Sequence, residues 1–129
     1  MRLLLDTHVW LWLQTEPERL GDETLALMSL EGTRLFLSAA SSWEIAIKFS
    51  IGKLSLPEPP ASFVPRAMHR AGTFGLPVEH THALAVAGLP LHHRDPFDRL
   101  IVAQARAESM RVVTVDPAFD AYDVDLLPL

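Results

Sequence analysis

Arg2-Leu3-Leu4-Leu5-Asp6-Thr7-His8-Val9-Trp10-Leu11 opens the chain and decides how the rest is read. Three consecutive leucines have no polar face, the pattern of a strand covered on both sides in a parallel sheet. The run stops at Asp6 and Thr7, residues suited to a helix start. From His8 to about Gln14 the chain is again nearly continuous in Val, Trp and Leu. This predicts a helix buried on most sides, although periodicity alone does not separate such a run from a strand. Pro17 ends it.

Outward from this unit, strand and helix signals alternate. A polar-faced helix is expected over about Asp22 to Leu30, Gly32 breaks the chain, and Arg34 to Leu37 reads as the second strand. Ser38 closes that strand and can cap a helix from Ala39 to about Phe49, whose end Gly52 marks. Leu56 to Pro60 is a turn, and Ala61 to Ala71 a helix whose start is restricted by Pro65. Phe74 to Val78 is a short third strand, and Glu79 to Ala87 a helix terminated by Gly88 and Pro90. After the loop Leu91 to Arg94, a helix from Pro96 to about Glu108 carries Phe97, Leu100, Ile101 and Ala105 on one face. Val112 to Val115 is the next strand, and Val124 to Leu127 a last edge strand. The alternation predicts one domain over residues 1–129: a three-layer α/β/α sandwich with a central parallel sheet of four to five strands.

Composition narrows the function classes. A chain of 129 residues without cysteine has no disulfide scaffold, thiolate metal site or cysteine nucleophile, and fits a reducing cytoplasm. The apolar run Val9 to Leu13 is far too short to span a bilayer, and no export signal or membrane association is expected. The net charge of −5 is awkward for a protein that handles nucleic acid. Yet setting Asp6, Glu44, Asp95, Asp98 and Asp116 apart from the 16 acids leaves as many as there are Lys and Arg, 11. The acidity is then local to one pocket. A hydrophobic content of 49% is high for a small domain and points to apolar surface covered by a partner.

Asp6, Glu44, Asp98 and Asp116 each fall at a strand end or in the first turns of a following helix, positions that converge on one crevice in an open parallel sheet. Each also has a structural reading. Asp6 can cap its helix, and Asp95-Pro96 has the form of an N-cap with proline at the first helical position, with Asp98 as the inner member of a capping box. Ser41 and Glu44 fit a capping box too, but a cap at Ser38 places Glu44 one turn deeper with no capping to do. Asp116 before Pro117 can be a turn. Together these readings weaken, because a helix needs one capping acid and here acids recur at every junction. Clustered carboxylates without a cation cannot all stay ionised, and hard oxygen ligands without sulfur favour magnesium or manganese.

Four segments carry a resemblance: Leu3-Leu4-Leu5-Asp6-Thr7-His8-Val9-Trp10-Leu11; Ser38-Ala39-Ala40-Ser41-Ser42-Trp43-Glu44-Ile45-Ala46-Ile47-Lys48; His92-His93-Arg94-Asp95-Pro96-Phe97-Asp98-Arg99-Leu100-Ile101-Val102-Ala103-Gln104-Ala105; and Val113-Thr114-Val115-Asp116. In order and spacing they resemble the PIN-domain family, in particular its VapC-type toxins, over nearly the whole chain. The resemblance implies a small α/β/α domain, Mg2+- or Mn2+-dependent cleavage of RNA, a homodimer, and inhibition by a cognate antitoxin protein through which DNA is contacted only indirectly. It assigns catalysis and metal binding to Asp6, Glu44, Asp98 and Asp116. Asp95 is either an additional ligand or the helix cap, and Thr114 a hydroxyl that orients an acid or the attacking water. Val115 departs from the polar residue that many relatives carry before the last aspartate, which affects only side-chain contacts there.

In such a site a cation activates water for in-line attack, leaving a 5′-phosphate and a 3′-hydroxyl, with one or two ions involved. Asp6 is expected as the central ligand, Asp98 and Asp116 as further ligands, and Glu44 to complete the shell or orient the water. Lys48, Arg94 and Arg99, and less directly Lys53, are candidates for RNA phosphate. Arg94 or Arg99 can instead pair with an acid or stay solvated. His80 with His82 and His92 with His93 lack a matching zinc motif; His93 is expected to contact substrate or pack in its loop. Trp10, Trp12 and Trp43 read as core or interface aromatics. The first helix and Ala39 to Phe49 are expected to supply a dimer face. An aspartyl phosphohydrolase would want an acid where His8 stands; the other competing class is a non-catalytic, metal-binding receiver-like or adaptor domain.

Overall fold

β1 (Arg2–Leu5) is the central strand of a five-stranded sheet ordered β3-β2-β1-β4-β5. A computed structural model describes residues 1–127 of the chain. β2 (Arg34–Ser38) lies on one side of β1 with Leu3 opposite Leu35, and β4 (Arg111–Val113) on the other with Leu4 opposite Val112. β3 (Thr73–Leu76) and β5 (Leu126–Leu127) form the edges, and all four pairings are parallel.

The leucine run is buried on both faces, as its lack of a polar side predicts. Successive strand residues point to opposite faces. Leu3 and Leu5 pack with Val9, Trp10, Leu37, Ile45 and Phe63, beneath α1 (Thr7–Thr15), α3 (Ala39–Ser50) and α4 (Pro60–Ala71). Leu4, between them, packs with Ile101, Val102, Val112 and Phe119 beneath α6 (Pro96–Glu108). Two cores on two faces of one parallel sheet make the three-layer sandwich. α2 (Asp22–Met28) and α5 (His80–Ala85) complete the helices. Among the described residues, no helix is long and apolar enough to cross a membrane.

Three expectations change. α4 starts at Pro60 and runs through Pro65, which gives up one helix hydrogen bond while Phe63, Val64 and Ala67 keep the apolar face buried. The helix expected over Glu79 to Ala87 is α5 followed by a 3-10 turn, Val86–Gly88. β4 ends at Val113, so Thr114 and Val115 leave the sheet before Asp116. Trp43, read as a core or interface aromatic, lies at the surface: it is 60% exposed and packs edge-on against Phe97.

Candidate active site

With the order β3-β2-β1-β4-β5, the winding of the chain reverses between β1 and β4, where open α/β sheets form their crevice. Asp6 follows β1 directly, and its amide donates to the Val113 carbonyl on β4 at 3.0 Å. It occupies the N-cap position of α1, but its side chain makes no capping bond. Thr114 Oγ1, just past β4, donates to Asp6 Oδ2 at 2.8 Å and accepts from Asp116 N at 3.0 Å. One hydroxyl therefore joins Asp6 to the Asp116 backbone. Asp116 also does the turn work foreseen for it: its Oδ1 accepts from Ala118 N at 2.9 Å, heading the 3-10 turn Pro117–Ala121.

Glu44 enters from α3. Ser38 is the cap of that helix, its Oγ accepting from Ala40 N at 3.0 Å, so Ser41 and Glu44 are free of capping. Glu44 is buried, with Oε1 2.7 Å from Thr7 Oγ1 and Oε2 2.6 Å from Lys48 Nζ. Thr7 Oγ1 also lies 2.8 Å from Ser41 Oγ. A carboxylate only accepts, so Thr7 gives its proton to Glu44 and takes that of Ser41. Asp98 enters from the first turn of α6, which Asp95 caps: Asp95 Oδ1 accepts from Phe97 N at 2.9 Å and Asp98 N at 3.1 Å. Asp98 is left with His93, whose Nε2 is 3.4 Å from its Oδ2.

The acids feel one another. Burial first, then the negative charges of Asp6, Asp95, Glu44 and Asp116, push the Asp98 carboxyl up to about 8. Burial also raises Asp6, against the pull of the Thr114 hydrogen bond. The hydrogen bond that Lys48 donates to Glu44 raises the Lys48 ammonium, and the charges of Glu44, Asp95 and Asp98 add to it. The chemistry of this donor set, hard oxygens with uncompensated negative charge, fits Mg2+ or Mn2+. As the side chains stand, no three His, Asp or Glu among the described residues share one ligand sphere. Their oxygens are engaged instead by Thr114, Thr7, Lys48 and Ala118, and Lys48 is the cation that meets the cluster.

Residues 3–125 match the PIN domain family. The chain belongs to the PIN-domain family. Two relatives come from Mycobacterium tuberculosis (strain ATCC 25618 / H37Rv). The chain is 34% identical to Ribonuclease VapC22 over 115 residues, 88% of this chain and 86% of that protein. It is 51% identical to Ribonuclease VapC16 over 61 residues, a match that spans 47% of this chain and only 43% of that relative's length. Among solved structures, VapBC2 from Rickettsia felis bound to a fragment of promoter DNA superposes with a TM-score of 0.75 at 16% identity, over 98% of each chain. FitAB bound to the IR36 DNA fragment superposes with a TM-score of 0.64 at 25% identity, over 97% of this chain and 93% of that one. These likenesses place the α/β/α sandwich in the PIN fold.

Around the crevice of this PIN domain the expected cations divide. Arg99 is corrected from a phosphate contact to a structural residue. It is 9% exposed, and its guanidinium donates to the carbonyls of Pro90, Val86 and Leu89 and to Tyr122 Oη. Arg94 and Lys53 are exposed. Lys53 and Lys48 line, with Thr7, His8, Leu11, Ile45 and Leu54, a groove adjoining the acids. The histidine pairs separate as well. His82 is buried, accepting from Glu79 N at 3.0 Å and meeting Glu108 Oε1 at 2.9 Å, while His80 is exposed. His93 packs on Tyr122 and touches Asp98. Trp10 is fully buried and its Nε1 donates to Thr73 Oγ1 at 3.2 Å, while Trp12 is half-buried with the Arg19 guanidinium over its ring. Thr7, Ser41 and Tyr122 were not foreseen near the site. Thr7 beside Asp6 and Ser41 three residues before Glu44 were visible only as cap signals, and Tyr122 carries no local signal.

Proposed function

We propose that this PIN domain is a metal-dependent endoribonuclease acting as the toxin of a toxin–antitoxin pair. The observation that carries the reading is the convergence of Asp6, Glu44, Asp98 and Asp116 on one crevice at the ends of β1 and β4, in a family where two relatives of this chain are named ribonucleases. Asp6, Asp98 and Asp116 would hold Mg2+ or Mn2+, and Glu44 completes the shell or orients water. When bound, such a cation activates water and offsets charge on the phosphate.

The chain's own residues do the rest. Thr114 fixes the Asp6 carboxylate, Thr7 fixes Glu44 while Lys48 offsets its charge, and Asp95 starts α6 so that Asp98 stands in its first turn. Lys48, Arg94 and Lys53 offer positive charge for the RNA backbone. Water attacks phosphorus in line, the bond to the 3′-oxygen breaks, and that oxygen takes a proton, leaving a 5′-phosphate and a 3′-hydroxyl. The partners are RNA, a cognate antitoxin whose own domain contacts DNA, and a second copy of the chain; the location is cytoplasmic. Two structural neighbours named as VapBC2 and FitAB assemblies support the antitoxin. The exposed Trp43 on α3 supports the dimer, and light scattering that finds only monomer at micromolar concentration would count against it.

The reading is tested by RNA cleavage with Mg2+, with EDTA, and by Asp6→Asn. Cleavage is expected only for the wild type with metal, with 5′-phosphate ends. Activity retained in EDTA, or in the variant, would remove the proposal.

A further inference from the structure

Arg99, Tyr122, His93 and Asp98 form a chain of hydrogen bonds that ends in the crevice. Arg99 Nη1 donates to Tyr122 Oη at 3.0 Å, Tyr122 Oη lies 2.7 Å from His93 Nδ1, and His93 Nε2 lies 3.4 Å from Asp98 Oδ2. Donor counting places the protons. A guanidinium has no acceptor, so the tyrosine oxygen accepts from Arg99. Tyr122 is buried, and a buried hydroxyl needs an acceptor for its own proton. Of its two hydrogen-bonded neighbours among the described residues, only His93 Nδ1 has a lone pair to offer. Nδ1 is therefore bare and the ring proton sits on Nε2, facing Asp98.

The chain is anchored where it begins. Arg99 Nη1 also donates to the Pro90 carbonyl at 2.8 Å, and Nη2 reaches those of Val86 and Leu89 at 3.4 Å each. Those carbonyls lie in the segment leading to His92 and His93, so one buried side chain of α6 clamps the loop and, through Tyr122, chooses the tautomer of its histidine. His92 packs edge-on against the same tyrosine ring, with centroids 5.0 Å apart.

We propose that His93, held as the Nε2–H tautomer by Tyr122 and Arg99, is the positioning residue of Asp98: it donates to Oδ2 and leaves Oδ1 for the crevice. Carboxylates that bind cations are commonly steadied by such a donor on the outer side. The 3.4 Å separation is at the outer limit of a hydrogen bond, as site contacts often are before ligands bind. The role rests on the proposed reading of Asp98 as a cation ligand, whereas the tautomer does not.

Two measurements test it. Nitrogen-15 NMR of the His93 ring in metal-free protein should show a bare Nδ1 and a protonated Nε2. Tyr122→Phe, which removes the hydroxyl without changing the ring, should shift the ring toward a mixture of tautomers. An Nδ1–H ring in the wild type would overturn the proposal. Calorimetric Mn2+ binding without RNA supplies the second readout. His93→Gln, whose amide can reach Asp98 from the Nε2 position, should stay within about threefold of wild type, and His93→Asn, which is too short, should bind about tenfold more weakly. Equal binding by wild type and His93→Asn would overturn the proposal and leave the metal site standing. A wild type that binds no Mn2+ while its ring is Nε2–H would instead remove the metal reading, and this positioning role with it.

Discussion

Thr114 donates to Asp6 across 2.8 Å although the two lie 108 residues apart in the chain. Their strands are neighbours, Leu5 pairing with Val113, and each residue follows the carboxyl end of its strand, at the same end of the sheet. The hydroxyl also receives the Asp116 amide, so a single side chain sets the spacing between two of the candidate ligands.

Removing that hydroxyl should therefore be felt twice. Thr114→Val leaves a buried carboxylate oxygen without its donor and is expected to cost about 1–3 kcal/mol of stability. Because this hydrogen bond is the strongest influence holding the Asp6 carboxyl down, its pKa should rise further. Metal-dependent RNA cleavage should fall about 10–100-fold, while Thr114→Ser stays near wild type. Denaturant melts and cleavage rates check both, and a Val variant with an unchanged rate would contradict the assigned role.

Asp98 predicts how the metal-free protein responds to pH. Its carboxyl holds a proton up to about 8 in the fold but only to the ordinary 3.8 when unfolded. A raised pKa favours the folded state at low pH, so this contribution is complete below about pH 4 and lost as pH rises through 8. In EDTA the melting temperature should fall between pH 5 and pH 9, and Asp98→Asn should flatten that decline. Adding Mg2+ at pH 9 should restore the wild type but not the variant. A wild-type melting temperature that climbs over this range would contradict the buried, crowded carboxyl.

Lys48 and a divalent ion compete for the same negative field. Lys48→Met removes the ammonium 2.6 Å from Glu44 Oε2. It should tighten Mn2+ binding by about tenfold, the size expected for single and double positive charges several ångströms apart near water. RNA affinity should move the other way if the ammonium serves the backbone. Calorimetry and KM values separate the two effects, and weaker Mn2+ binding would show that Lys48 organises the site instead of screening it.

Arg99→Lys separates a structural cation from a phosphate contact. A lysine cannot reach three carbonyls and a hydroxyl from one planar fork. About 2–3 kcal/mol of stability should be lost, with RNA affinity of the folded protein unchanged at low temperature. A large loss of RNA affinity without loss of stability would return Arg99 to the substrate surface.

The helix Pro96–Glu108 and its cap Asp95 were legible because their signals are local: an acid, a proline, then apolar residues at helical spacing. Ser38 as the cap of α3, which spares Glu44, was legible for the same reason. Arg99 and Trp43 were not. Arg99 looks identical whether it meets phosphate or carbonyls, and only the folded loop Val86–Pro90 supplies those carbonyls. Trp43 sits in an apolar stretch that suits core and interface alike, and only the fold shows that α3 turns it outward against Phe97.

By itself, then, the sequence determined the elements, their alternation and the acids at their junctions, because hydrophobic period and capping chemistry act over a few residues. The tertiary structure alone decided the long-range ties: Asp6 to Thr114, Glu44 to Thr7, and His93 to Tyr122 and through it to Arg99. Those bonds join residues 108, 37, 29 and 23 positions apart, brought together by the fold, which no local pattern of residues encodes.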